Sequence, residues 1–514
     1  MKFLQYFSLS LLTFFLFSCS TSQKSTQTSA PSSYTEAIFL QINDVYEIAA
    51  LDNGKKGGMP RVATILQRLR AENPNTYFVI AGDFLNPSVI GTLKFEDKTI
   101  KGRHMVDVLN YVGLDYAMLG NHEFDLDYPD FQERVNESTF KWISTDVNGM
   151  ENAPFTKKDK DGYFTPFQTT EVISVPGKDQ KMYKIGIFTA TTPLVKKNWI
   201  TYNDYMSTSV EAAKNLSENC NVVLGITHLE IKQDRALANS VPFVPLIMGG
   251  HDHDNMNVRE GSTVITKADA NAKSVYIHRV RFDDKTGSAK VISELVYLDE
   301  KIKEHEGTVS VVNKWKNIAT ESMKKQGFEP ERVIKTFDTP LDGRESVVRH
   351  EQCKLGSMIA ASMMEASREK AVCAFFNSGS IRIDDQVKGN LTEYDVLRIM
   401  PYGGQVVEVT LKGSLLKKVL DAGDHNKGRG GYLQRSTNIS KINNEWKIAN
   451  ATIQDNENYV VITGAFLYSG KEAGLEFFND KNPEIIKAVF PNKEDKNDIR
   501  NDFRKIFIQF LGKK

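Results

Sequence analysis

The sequence predicts an α/β protein with a largely parallel, buried sheet, followed by a second α/β domain. Three observations predict it. Short apolar runs alternate with amphipathic stretches from Ile38 onward, as in βαβ units whose sheet is covered on its faces. The pattern pauses near residue 300 and restarts after about 335. Metal-binding residue types sit directly after the apolar runs, at the strand ends where open α/β sheets gather their ligands.

Residues 38–43 read as a strand and 60–72 as a helix with Pro60 at its start. A second strand at 77–81 precedes a helix at 104–111, closed by Gly113, and a third strand at 116–119. Apolar runs at 222–227 and 241–248 add two strands, and the charged stretch 151–163 reads as a surface loop. The β-rich stretch 275–298 leads to 308–326. There Val309, Val312, Trp315, Ala319 and Met323 share one helical face. That helix joins the domains. Beyond it, 352–368 reads as a helix and 371–376 as a strand running into Asn377-Ser378-Gly379-Ser380. A strand at 406–411, a helix at 413–421 and a strand at 459–463 complete the second domain.

The 514 residues carry 65 Lys+Arg and 65 Asp+Glu. Zero formal charge argues against a nucleic-acid polymer as partner, though not against a small anion. Four cysteines are too few for a disulfide scaffold. A Cys353–Cys373 bridge and two buried thiols both remain open. Near the start, Lys2 precedes an apolar run at 7–17 that is too short to span a bilayer. It ends in Leu16-Phe17-Ser18-Cys19, which resembles a bacterial lipoprotein cleavage box. The resemblance implies a signal peptide over 1–18 and a membrane anchor through a lipid on Cys19. The protein is then expected in the cell envelope, on the periplasmic or cell-surface side. Residues 19–35, rich in Ser, Thr and Gln, read as a tether. The remaining boundaries fall at 36–300, 301–332 and 333–514.

The chemistry concentrates at five strand ends. Asp44 follows the first strand, Asp83 the second, and Asn121 and His122 the third, in Gly120-Asn121-His122-Glu123-Phe124-Asp125. His228 follows the run at 222–227, and His251 and His253 follow the run at 241–248. Asp, His and Asn suit borderline divalent metals. A carboxylate can bridge two ions, which together activate water and clamp a phosphoryl oxygen.

These motifs, with Gly250-His251-Asp252-His253, Gly57-Gly58-Met59-Pro60-Arg61 and Asn86-Pro87-Ser88, resemble those of calcineurin-like metallophosphoesterases, and within them the 5′-nucleotidase family. The resemblance extends to the second domain through Asn377-Ser378-Gly379-Ser380-Ile381-Arg382 and Met400-Pro401-Tyr402-Gly403-Gly404. It implies a four-layer αββα metallophosphoesterase domain, a bridging helix and a nucleotide-binding C-terminal domain, with the site between the domains. Two divalent ions (Zn, Mn, Fe, Co or Mg) are implied, with Asp83 bridging. Asp44 and His253 would hold one ion, and Asn121, His228 and His251 the other. His122 would be the catalytic imidazole, oriented by Asp125. The implied reaction releases phosphate from nucleoside 5′-monophosphates by in-line attack of a metal-bound hydroxide. UDP-sugar hydrolysis, 2′,3′-cyclic-nucleotide phosphodiesterase activity and a catalytically weakened nucleotide-binding lipoprotein are the alternatives.

The sequence departs from the family twice. The first motif usually reads Asp-any-His, and here its third residue is Tyr46. Tyr46 is either a tyrosinate ligand or a packing residue beside a water-completed site. In the second domain the resemblance assigns Arg382 to substrate, and Tyr432 and Phe466 to the faces of the base. The usual Gly-Gly-Asp-Gly segment is replaced by Ser469-Gly470-Lys471-Glu472-Ala473-Gly474, where Glu472 offers an acidic substitute.

Overall fold

The computed structural model describes residues 34–513 apart from Asn53. The expected signal peptide, Cys19 and nearly all of the tether lie outside the described residues.

Two six-stranded mixed sheets form the first domain. In one, Tyr34–Ile42, Thr76–Ile80, Tyr116–Met118 and Lys141–Ile143 are parallel neighbours, extended by the antiparallel hairpin Ser274–Asp283 and Ala289–Tyr297. In the other, Met182–Thr191, Val222–His228, Leu246–Gly249 and Thr263–Lys267 run parallel between antiparallel edges Glu171–Pro176 and Met256–Glu260. Phe39, Val79 and Met118 of the first sheet share one core with Ile185, Leu224 and Met248 of the second. Helices Met59–Glu72, Arg103–Val112 and Tyr128–Glu137 cover the outer face of the first sheet, and Tyr205–Ser217 and Ile231–Ser240 that of the second. The result is the αββα sandwich. Parallel strands buried on both faces read as continuous apolar runs, which is why they stand out in the sequence.

Two elements differ from expectation. The run at 241–248 is a strand only over Leu246–Gly249. Val241 instead ends the preceding helix, and Pro242 and Pro245 cannot donate to a ladder. The charged stretch 151–163 contains the first strand of a small hairpin, Thr156–Lys158 against Phe164–Pro166.

The connecting helix is Glu306–Lys325, with Val312, Trp315, Ala319 and Met323 buried and Val309 half-buried. It packs on Met59–Glu72 and Arg103–Val112, and Trp315 Nε1 donates to Asp107 at 2.8 Å. The second domain has a five-stranded sheet in the order Leu433–Arg435, Cys373–Asn377, Asn458–Gly464, Val406–Lys412, Ile485–Val489. Helix Gly413–His425 packs Leu415, Leu416 and Val419 against one face. Helices Lys354–Ala366 and Phe503–Gly512 cover the other, in a core continuous with the connecting helix. Cys353 and Cys373 are free, buried thiols. Cys353 caps helix Lys354–Ala366, its Sγ accepting from Gly356 N at 3.3 Å.

The domains meet through polar contacts. Glu47, buried just past the first metal loop, accepts from Tyr394 Oη at 2.9 Å and Arg398 Nε at 3.2 Å. Asn86 Nδ2 donates to Tyr402 Oη at 3.1 Å, and Lys273 pairs with Asp385 at 3.4 Å.

Candidate metal centre

The strand ends turn sharply to aim their side chains at one point. Asp44, Asp83 and His251 adopt left-handed φ values of 52°, 56° and 78°. Such backbone is uncommon outside glycine and concentrates at functional sites. Close approach is also built in: a Cβ on Gly120 would overlap Asp83 Oδ1, and one on Gly250 would overlap the Ala81 carbonyl.

Asp44, Asp83 and His228 are fully buried, with one ligand atom of each within 4.8 Å of the others. His228 Nδ1 donates to the Ala81 carbonyl at 2.7 Å, which turns Nε2 toward Asp83 Oδ2 at 3.1 Å. His251 N donates to Asp44 Oδ2 at 2.9 Å, and its ring lies 5.2 Å from that of His228. His253 Nε2 is 3.2 Å from Asp44 Oδ1. Tyr46 Oη lies 3.4 Å from Asp44 Oδ1, 3.3 Å from Asp83 Oδ2 and 3.1 Å from His253 Nε2. Tyr46 thus reaches into the ligand cluster, as a ligand must. Spacings of this size suit donors sharing one ion with bonds of about 2 Å.

The donor set fits a cation. Asn121 Oδ1 is buried without a hydrogen-bond partner, a costly state that a metal relieves. Burial opposes charge on His228, yet Asp83 and Asp44 pull it up to about 10, so this point favours positive charge. Burial holds His251 well below its ordinary value, hence neutral and able to ligate. Burial, with Asp83 and Asp44 beside it, pushes the Tyr46 phenol well above its usual value. It therefore donates to the carboxylates unless a cation displaces its proton.

His122 N donates to Asp83 Oδ1 at 2.7 Å, and its Nδ1 meets Asp125 Oδ2 at 2.7 Å. Burial disfavours the imidazolium, but Asp125 and Asp83 outweigh it and bring His122 up to about 9. Asp125 is lowered to about 2 despite burial, chiefly by His122, and also accepts from Asn86 Nδ2 at 2.9 Å.

From the second domain, Arg382 brings its charge close enough to act on both His122 and Asp125. Its Nε is buried and unpartnered, and its guanidinium lies 5.8 Å from the Tyr402 ring centroid. Tyr432 is only 6% exposed and its Oη accepts from Gln352 Nε2 at 3.0 Å, so it offers little open ring. Phe466, on the short helix Ala465–Tyr468, is 53% exposed. Glu472 accepts from Asn377 Nδ2 at 3.0 Å. It thus puts an acid beside the Asn377-Ser378 turn despite the altered segment.

Three supporting residues carry no role in the sequence reading. Glu123, fully buried, accepts four backbone N–H bonds: from Asp83 and Gly120 on Oε2 at 2.9 and 2.7 Å, and from Phe84 and Leu85 on Oε1 at 2.8 and 3.1 Å. It clamps the turn bearing Asp83 to the turn bearing Asn121. Burial, reinforced by Asp83, pushes it up to about 7 against the pull of these donors. Lys267, also fully buried, pairs with Asp234 at 2.7 Å and Asp252 at 2.6 Å and donates to the carbonyls of Leu229 and Gly250 at 2.5 and 2.8 Å. It ties the loop after His228 to the loop of His251 and His253. A lysine ending an apolar strand was the available signal. The third is Asp384, which meets His253 from the other domain.

Carboxylates, imidazoles and an amide converging at the strand ends of an αββα sandwich define a metal-dependent phosphoesterase. The family model for the calcineurin-like phosphoesterase matches residues 38–255, and that for the 5′-nucleotidase C-terminal domain matches 333–480. The chain belongs to the 5′-nucleotidase family and is a phosphoric ester hydrolase whose fold implies divalent metal ions. It is 25% identical over 445 residues to a 5′-nucleotidase of Bos taurus, spanning 78% of this chain and 74% of that one. It is 28% identical over 414 residues to a trifunctional nucleotide phosphoesterase of Bacillus subtilis, spanning 72% of this chain but 27% of that protein. The crystal structure of a 5′-nucleotidase precursor from Thermus thermophilus shares the fold with a TM-score of 0.69 at 20% identity, covering 93% of this chain and 96% of that one. A sulfate thiohydrolase from Thermus thermophilus shares it at 0.65 and 14% identity, covering 93% and 94%.

Proposed function

We propose that this chain hydrolyses nucleoside 5′-monophosphates to nucleoside and phosphate, using two divalent ions. The observation that carries the reading is Arg382: a half-buried guanidinium whose Nε is buried and unpartnered, supplied by the second domain close to His122 and Asp125. A terminal phosphate offers the dianion that such an arrangement recognises. The similarity to proteins named 5′-nucleotidase supports the same substrate class.

Asp44, Tyr46 and His253 would hold one ion, Asn121, His228 and His251 the other, with Asp83 between them. Bound there, the ions would activate water and neutralise phosphoryl charge. His122, raised to about 9, is protonated at neutral pH and opposes negative charge gathering on the phosphoryl group or the leaving oxygen. Asp125 fixes the orientation of its ring by accepting from Nδ1. Arg382 orients the phosphate and Phe466 offers an open aromatic face for the base. A lipid on Cys19 would hold the enzyme in a bacterial envelope, a reading supported by the Leu16-to-Cys19 sequence.

A panel of nucleoside monophosphates, a UDP-sugar and a 2′,3′-cyclic nucleotide, with the products resolved by chromatography, tests this. Turnover confined to the diester or the sugar nucleotide would sink the monophosphatase reading, and nucleotide binding without turnover would make the chain a binding protein.

A further inference from the structure

We propose that Asp384 of the second domain is a positioning residue for His253, so that one metal position of the first domain is completed across the domain boundary. A histidine that binds metal through one ring nitrogen is normally fixed by an acceptor on the other. His228 finds its acceptor within its own domain, the Ala81 carbonyl. For His253 the acceptor is the Asp384 carboxylate, which its Nδ1 meets through Oδ2. That contact puts the proton on Nδ1 and leaves the Nε2 lone pair facing Asp44 Oδ1 and Tyr46 Oη, at 3.2 and 3.1 Å.

The carboxylate is itself held. Asp384 is 9% exposed, and its Oδ1 accepts from Glu345 N at 2.6 Å. Its backbone has a left-handed φ of 40°, which aspartate tolerates better than most residues. The neighbouring Asp385 supplies a control. It too crosses the boundary, to Lys273 at 3.4 Å, but both partners are partly exposed, at 26% and 20%. Asp385 serves docking alone. Asp384 sets a ligand's tautomer and direction. The arrangement of the domains and the affinity for one ion are therefore linked.

The inference rests on the two-ion reading above. Its test is calorimetric titration of the chelator-stripped full chain with Zn2+, comparing wild type with D384N, D384A and D385N. The amide introduced by D384N keeps an oxygen for the Glu345 N–H but turns an NH2 toward Nδ1, favouring the tautomer whose Nε2 cannot bind a cation. D384N is expected to weaken one of two binding steps by roughly 10–100-fold and leave the other unchanged. D384A should weaken the same step, and D385N neither. In an H253A background, D384N should cost nothing further. Two unaltered steps in both Asp384 variants, or an equal loss in D385N, would overturn the Asp384 assignment while leaving two ions in place. A wild type that takes up a single equivalent would overturn the two-ion reading and this inference together.

Discussion

Replacing Glu123 by Gln removes one charge and changes no shape, yet it should be among the most damaging substitutions in the first domain. Each carboxylate oxygen accepts two backbone N–H groups, Asp83 and Gly120 on one side, Phe84 and Leu85 on the other. An amide has one oxygen. Whichever way it is turned, two buried N–H donors face an NH2. An unsatisfied buried donor costs about 1–3 kcal/mol, so the pair costs roughly 2–6 kcal/mol. That is a large share of a typical 5–15 kcal/mol stability. For a domain of this size it corresponds to a fall of at least about 4 °C in Tm. Because the four donors come from the turns bearing Asp83 and Asn121, metal content should fall with stability. Thermal unfolding followed by circular dichroism at pH 8, where the carboxylate is ionised, and elemental analysis of the same preparation are the assays. A variant within about 1 °C of wild type that keeps its full metal content would refute the clamp.

Further outcomes are expected elsewhere. Asp83→Asn should abolish turnover and lower bound metal if Asp83 lies between two ions; unaltered turnover would sink that placement. If the Tyr46 oxygen is a ligand, Y46F should lower affinity for one cation by roughly tenfold or more and Y46H should restore it, as read by metal titration; equal affinities in all three proteins would make Tyr46 a packing residue. Lys267→Met leaves Asp234 buried without its cation, at a cost of about 3–5 kcal/mol. D234N in that background should recover part of the loss, and K267M matching wild type in unfolding would contradict the tether. His104 and His278 are each held down to about 3, by burial above all. Unfolded, they protonate near 6.5, so below that pH the unfolded chain binds more protons and stability falls until the native groups titrate near 3. Each histidine contributes a slope of about 1.4 kcal/mol per pH unit. H278Q should flatten the pH 6 to 4 dependence by that amount in denaturant melts, and an unchanged slope would contradict it.

Strand ends were legible because parallel strands buried on both faces make uninterrupted apolar runs, and the residue after each run is where ligands gather. Asp44, Asp83, His122, His228, His251 and His253 could be placed on that ground, and the structure brings them together. The run at 241–248 misled because apolar character continues through Pro242 and Pro245 from a helix end into a strand. Supporting residues were harder to see. Glu123 acts by accepting backbone N–H groups, and Lys267 by joining loops that begin at residues 229 and 250. Neither action leaves a periodicity or spacing in the chain. Asp384 serves a histidine more than a hundred positions away in the other domain, a relation that only folding creates. Tyr46 shows the converse: its departure from the family's usual residue was plain in the sequence, while its reach to Asp44, Asp83 and His253 required the structure.

The most direct test of the central claim is phosphate release from nucleoside 5′-monophosphates by chelator-stripped full chain, before and after adding back Zn2+ or Mn2+, with bound metal counted in the same sample. Negligible turnover is expected when stripped, with recovery as two equivalents bind and loss of turnover in Arg382→Ala. Turnover that persists without metal, or a fully loaded protein inert toward every monophosphate, would contradict it.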